Sequence, residues 1–348
     1  MTFPSRSRLK EAVKRVPGLG GVAAAVYRRL TRLDRLALHA RIMDANARRL
    51  ALALVELERD RAQAGSAPRR VTAPGELRDL HTTSSVCTQA QFMTPEYVYW
   101  CGRLGERPVW HRKQWEYYFI CQALWERGML RPGRAGCGFG VGREPLPALF
   151  AALDCTVVAT DAPASAAIEA HWRQTGQHAT SLADLSAPGV APDERVRANV
   201  TFRTVDMRRI PADLAGFDFV WSTCALEHLG SIERGIEFVE RACRCLAPGG
   251  VAVHTTEFNV ASDDATLDAG PIVLFRRRDL AEMERRVAAA GCRLAPLSLE
   301  PGHGLLDGLV ALPPFEGGYA DAPVLRLEVD RHVTTSLGLI VEKGERPR

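Results

Sequence analysis

Short β-branched runs alternate with helical stretches along most of this chain, and that alternation limits its fold more than any other feature. The runs are CTVVAT (155–160), VTFRTV (200–205), FDFVWS (217–222), VAVHTT (251–256), CRLAPLSL (292–299) and TSLGLIVE (335–342). Helical stretches lie between the earlier ones, including 231–246 and 279–290. Ahead of them, HRKQWEYYFICQALWERG (111–128) reads as a helix with Trp115, Phe119 and Leu124 on its apolar face and Gly128 as its stop. Strand–helix alternation predicts a parallel sheet with helices on both faces. The 348 residues suffice for one large domain of this kind with an accessory element, or for two domains.

A glycine-rich run, GCGFGVGREPLPALFAAL (136–153), precedes the first of these strands and leads into a helix. Its Gly136, Gly138, Gly140 and Gly142 let backbone approach a ligand closely. The dinucleotide fingerprint G-x-G-x-x-G fails in each frame, because its last position falls on Val141, Arg143 or Pro145. The phosphate-loop ending Gly-Lys-Ser/Thr is absent as well. Alternating glycines suit a nucleoside without a diphosphate. Asp161, after CTVVAT, is placed to accept hydrogen bonds from a ribose diol, and Asp206, after VTFRTV, to face an adenine amino group. Either could be a helix cap, but both as caps, in this order after this loop, is the weaker account.

Charge and apolar spacing set the first third of the chain apart. Residues 1–50 carry 12 Lys+Arg against 3 Asp+Glu, whereas the rest carries 33 against 38. The basic excess is therefore an N-terminal arm, and it is poor in the aromatic residues that stack bases. Residues 5–16 predict a short basic amphipathic helix, broken at 17–21. Leu33, Leu36, Ala40, Met43, Ala47, Leu50, Leu54 and Leu57 then follow at alternating steps of 3 and 4, the spacing of a coiled-coil seam. That seam serves either a homodimer through residues 33–57 or packing of the helix on its own domain. Residues 1–64 are read as this helical extension, 65–110 as an irregular connecting segment rich in Pro, Ser and Thr, and 111–348 as the main domain. No apolar run approaches the ~18–20 residues that span a bilayer. Nine cysteines without metal-ligand spacing fit free thiols in a reducing cytoplasm.

Five pieces in order, GCGFGVG, VVATD, VDM (205–207), FDFVWSTCALEHL (217–229) and RCLAPGGVAVHTTEF (244–258), resemble the class I S-adenosylmethionine-dependent methyltransferases over roughly residues 111–342. The resemblance implies a Rossmann-like seven-stranded sheet in the order 3-2-1-4-5-7-6, with TSLGLIVE as the antiparallel seventh strand. It implies S-adenosylmethionine as cofactor, contacted by the four glycines, Asp161, Asp206 and Met207. The family's acidic residue before its first loop glycine is missing, since that position holds Arg134 or Gly136 depending on the frame. Glu116 and Glu144 are the candidate substitutes.

Methyl transfer to a hydroxyl needs a general base, and substrates bind at the C-terminal ends of central parallel strands. Glu227 and His228 follow FDFVWS, and His254 and Glu257 end the fifth strand, so these four are the catalytic candidates. In an extended strand His254 and Glu257 point to opposite faces. The expected acceptor is a small molecule such as a sugar or glycan precursor, and no metal is assigned. Other readings are an RNA methyltransferase using the basic arm, a non-catalytic cofactor-binding protein, and peripheral contact of the arm with an anionic membrane.

Overall fold

The computed structural model describes residues 20–62, 69–163, 177–313 and 322–345. In chain order they form α1 (Gly20–Ala62), β1 (Ser84–Val86), α2 (Gln89–Phe92), α3 (Pro95–Arg103), α4 (Arg112–Glu126), β2 (Ala135–Phe139) and α5 (Leu146–Ala152). There follow β3 (Thr156–Asp161), α6 (Asp193–Asn199), β4 (Val200–Thr204), β5 (Phe217–Ser222), α7 (Ile232–Cys245) and β6 (Leu246–Asn259). The last elements are α8 (Arg277–Ala289), β7 (Cys292–Leu294), β8 (Leu297–Ser298), β9 (Val310–Ala311), β10 (Arg326–Val329) and β11 (His332–Lys343). The helix expected at 5–16 lies outside the described residues.

One sheet runs in the order β4-β3-β2-β5-β6-β11, then β1 and β8, with β7 also on β11. β4, β3, β2, β5 and β6 are mutually parallel, and β11 is antiparallel to β6 from Thr334↔Asn259 to Glu342↔Val251. TSLGLIVE lies within β11. Apolar side chains fill both faces. The layer holding Phe119, Phe150, Phe219 and Trp221 lies on one side, and the layer holding Phe238, Val239, Leu280 and Met283 on the other.

CRLAPLSL, expected as one strand, breaks at Pro296, which has no N–H to offer a ladder. Its first half pairs antiparallel with β11 at Leu294↔Val341. Its second half pairs with β1, and β1 occupies the place on β11 opposite Leu337 and Gly338. Residues 65–110 are thus more than a connection. They supply a strand to the sheet and a cluster of rings to the core. Phe92 stacks on Trp110 with centroids 5.4 Å apart, and Tyr97 meets Tyr118 edge-on at 5.3 Å. Pro95 starts α3 where its missing N–H costs little, and Thr94 caps that helix by accepting from the Tyr97 N–H at 3.2 Å.

Helix α1 docks on the domain through Ala45, Arg48, Ala51 and Val55, all buried. Arg48 is held by Asp44 at 2.9 Å and donates to the Pro323 carbonyl at 2.8 Å. The heptad positions Leu33 to Leu57 are on another face and all exposed. The expectation that docking would use the seam is therefore corrected: a stripe of small residues and one arginine fits the domain surface instead.

Candidate functional site

The site begins where β2 ends. Gly136 and Gly138 belong to the strand itself, and a Cβ on them would come within 2.2 Å of the Phe219 ring and 2.4 Å of the Trp221 ring. The bulk that an apolar first strand normally supplies is thus provided by its neighbours: Phe219 and Trp221 on β5, and Phe150 edge-on to both. The turn proper is Gly140-Val141-Gly142. Gly140 and Gly142 adopt φ of 62° and 52°, the left-handed region that glycine enters without strain. A Cβ on Gly142 would stand 2.6 Å from the Gln177 carbonyl oxygen. The structure therefore brings Gly140 and Gly142 to the turn and leaves Gly136 and Gly138 as packing residues.

Gly140, Asp161, Asp206 and Met207 line one groove, together with Ala225, His228 and Leu229. Asp161 ends β3. Its carboxylate accepts from the Ala162 N–H at 2.7 Å and the Ala179 N–H at 2.9 Å. Burial nevertheless raises its pKa, with those backbone bonds opposing the rise. The Gly142 backbone N–H also pulls it down, so the carboxylate is tied to the glycine turn as well. Asp206 follows β4 and is gripped by Arg208, whose backbone and guanidinium N–H groups both donate at 2.9 Å. Burial pushes this carboxyl up, and the Arg208 bonds outweigh it, leaving it below its ordinary value. Two carboxylates around an apolar wall of Met207, Ala225 and Leu229 fit a nucleoside.

A second cluster sits at the ends of β5 and β6. Glu257 on β6 meets Arg112 at 2.6 Å and Lys113 at 3.2 Å. Its second oxygen accepts from Thr334 Oγ1 at 3.0 Å. Burial alone would raise its pKa, but the two cations and their hydrogen bonds pull it down to about 2. Glu116 on α4 lies 3.3 Å from Lys113 and 3.8 Å from Arg112, and accepts from Thr255 Oγ1 at 3.0 Å. Cys224 contacts the Lys113 ammonium.

Glu227 lies in the short turn after β5 and is fully buried. One of its oxygens accepts from Thr256 Oγ1 at 3.2 Å, and the other has no partner. Burial is the first cause of its raised pKa, ahead of the lowering pull of His228 and Lys113. His228 beside it holds the Pro271 carbonyl through Nδ1 at 2.7 Å and faces the groove.

His254 lies elsewhere. It points to the other face of β6, under α7, with Nδ1 on Ser222 Oγ at 2.8 Å and its ring edge-on to Phe238 at 5.3 Å. Burial pushes its pKa down to about 3, so the ring is neutral. The strand pleat thus separates His254 from Glu257. Of the four catalytic candidates, His228 lines the groove, Glu227 and Glu257 come together in the buried cluster, and His254 is a core residue.

Glu144, a substitute for the missing acid, accepts from Trp221 Nε1 at 2.6 Å, and burial pushes its pKa up to about 8. Glu116, the other, belongs to the charged cluster. Sequence reading missed Arg112, Lys113 and Cys224. One signal was available: α4 starts with two cations and no acid in its first turn, against the helix dipole. Cations so placed have partners elsewhere. Donor atoms of Cys224, Glu227 and Glu257 lie within 4.8 Å of one another. A divalent ion there would have to displace the Lys113 ammonium, which already contacts Cys224 and Glu257.

A parallel sheet with its glycine turn and nucleoside groove at the C-terminal strand ends defines a Rossmann-like nucleoside-binding domain. Residues 134–254 match the methyltransferase domain family. That segment is a methyltransferase domain, in keeping with the resemblance to the class I S-adenosylmethionine-dependent family. It is 37% identical over 89 residues to a malonyl-[acyl-carrier protein] O-methyltransferase of Enterobacter lignolyticus, covering 26% of this chain and 34% of that protein. The same enzyme of Salmonella typhimurium is 33% identical over 86 residues, 25% of this chain and 33% of that one. The chain thus spans about a third of the length of the curated relatives it matches. Among solved structures, magnesium protoporphyrin IX methyltransferase from Synechocystis aligns at 14% identity with a TM-score of 0.38, covering 67% of this chain and 83% of that one. Among the described residues, no helix is long and apolar enough to cross a membrane.

Proposed function

We propose that this chain methylates a hydroxyl oxygen of a small-molecule acceptor, with Glu227 taking the proton. S-adenosylmethionine supplies a sulfonium-bound methyl group that leaves by in-line displacement. Asp161, Asp206 and the Gly140–Gly142 turn hold the nucleoside end, and Met207 and Leu229 keep water from it. As the acceptor oxygen forms its new bond to carbon, its proton passes to the unpartnered oxygen of Glu227.

The observation that carries this reading is that unpartnered, buried oxygen beside a charge cluster that is already balanced. Arg112 and Lys113 are both committed to Glu116 and Glu257. A carboxylate acceptor needs a cation and no base, whereas a neutral hydroxyl needs a base and no cation. The unpartnered Glu227 oxygen beside this balanced cluster supports the second set. The relatives named as O-methyltransferases support oxygen as the methylated atom, and sugars or glycan precursors present such hydroxyls.

The test is a panel of hydroxyl and carboxylate acceptors with methyl-labelled cofactor, run on the wild type and on Glu227→Gln. Transfer to hydroxyl compounds, cut roughly 10²–10⁴-fold in the variant with unchanged cofactor affinity, supports the assignment. Transfer to carboxylates alone, or a fully active variant, overturns it. Because burial raises the pKa of Glu227, turnover by the wild type should climb with pH above the ordinary carboxylate range, and the climb should vanish in Glu227→Gln.

A further inference from the structure

We propose that α1 pairs antiparallel with α1 of a second copy of this chain, through the seam from Leu33 to Leu57. The helix is 43 residues long and meets its own domain through Ala45, Arg48, Ala51 and Val55. In heptad terms those are b, e and f positions, so docking leaves every a and d position outward. Leu33, Leu36, Met43, Leu50, Leu54 and Leu57 are between 46% and 72% exposed. From Leu33 to Leu57 they make a stripe about 36 Å long at 1.5 Å per residue. Scattered exposed leucines are ordinary, but a continuous heptad stripe marks an association surface.

Two features of the stripe choose the occupant and its direction. The first is side-chain size. In an antiparallel pair centred on Ala45, Leu33 faces the partner's Leu57, and Leu36 faces the partner's Leu54. Ala40 then faces the partner's Leu50, and Met43 faces the partner's Ala47. Each alanine meets a large residue, and the layers have nearly even volume. A parallel, in-register pair would stack Ala40 on the partner's Ala40 and Ala47 on the partner's Ala47, leaving two gaps. The second feature is charge. Arg32 and Asp60, at the two ends of the stripe, both occupy g positions. The antiparallel pair sets Arg32 of each copy beside the partner's Asp60, a charge complement made twice by the two-fold symmetry. The parallel pair would set Arg32 beside the partner's Ala37 and leave both charges without that complement. A two-fold axis through the helix pair makes the contact self-complementary and closed.

Light scattering on the full chain should give twice the mass of one chain. The double variant Leu36→Glu/Leu50→Glu should be a monomer with unchanged cofactor affinity and unchanged helix content, because both side chains lie outside the core. Direction is read by cysteine cross-linking under oxidation. Leu33→Cys alone should not cross-link, while an equal mixture of Leu33→Cys and Leu57→Cys should give covalent dimers. A monomeric wild type, or a dimer that survives the glutamate variant, overturns the pairing. Cross-linking of Leu33→Cys to itself overturns the antiparallel direction. A monomer that instead binds phosphatidylserine vesicles, and loses that binding in the glutamate variant, assigns the stripe to a lipid surface and also overturns it.

Discussion

The indole N–H of Trp221 donates to Oε1 of Glu144 across 2.6 Å, and the carboxyl it holds is buried and pushed up to about 8. The consequence for stability has a definite sign. Below the ordinary value of 4.5 the carboxyl is protonated in the folded and unfolded chain alike, and it contributes no pH dependence. Between 4.5 and about 8 the unfolded chain releases the proton and the folded chain keeps it, so stability falls as pH rises through that window. Glu144→Gln keeps an acceptor for Trp221 and removes the titration. Its melting temperature should match that of the wild type near pH 4.5 and exceed it at pH 8.5, measured by scanning calorimetry. Equal melting temperatures at both pH values would show that Glu144 ionises freely.

Arg112 and Glu257 should behave in the opposite sense. The folded pKa of Glu257 is about 2 against an ordinary 4.5, so the stability it contributes is fully present above 4.5 and is lost as pH falls towards 2. Arg112→Met leaves the buried carboxylate with half of its cationic support, at a cost of roughly 3–5 kcal/mol. Urea unfolding at pH 7 should show that loss, and the two proteins should converge as pH falls through the same window. A constant difference across the window would place the cost in packing.

Gly138→Ala should destabilise the chain by about 1–3 kcal/mol or more, because its methyl would have to share space with the Trp221 ring. Gly136→Ala should do the same against Phe219. Gly75→Ala, with nothing within 4 Å of its Cβ, is the matched control and should be close to neutral. Denaturant midpoints of the three variants check this. A tolerated Gly138→Ala would mean that β5 can move aside.

His254 and His228 should separate cleanly. His254→Ala opens a hole under α7 and should cost about 2 kcal/mol or more, with turnover per folded molecule near that of the wild type. His228→Ala should weaken cofactor binding, read by calorimetry, with little change in stability. A loss of turnover in His254→Ala at full cofactor occupancy would return that residue to the mechanism.

Much of the fold was legible because it is written in periodic runs. β3, β4, β5 and β11 coincide with β-branched stretches, and the acids at the ends of the first two, Asp161 and Asp206, fall on the groove. β1 was not legible, since three residues, Ser84 to Val86, carry no pattern, and their pairing is decided by a strand far away in sequence. The glycine register was hidden for a related reason. Gly136 and Gly138 are strand residues only because Phe219 and Trp221 stand over them, a fact about the neighbouring strand. Glu257 could be named as a candidate, but its partners Arg112 and Lys113 come from a helix more than a hundred positions earlier. The exposed seam shows the converse limit. Spacing located the stripe from Leu33 to Leu57, but only the placement of Arg48 and Val55 shows which face the domain takes.

Ser84 accepts a hydrogen bond from the Ile340 N–H, 256 residues further along the chain. During synthesis, then, the strand that carries Ser84 leaves the ribosome long before the strand that will receive it. At roughly 5–20 residues per second that interval is tens of seconds or less, during which the aromatic cluster around Phe92 and Trp110 waits beside an unfinished sheet edge. Pairings this distant slow folding and leave edges open to wrong partners. Truncation near the C-terminus should therefore damage the N-terminal third of the domain as directly as the sheet it shortens.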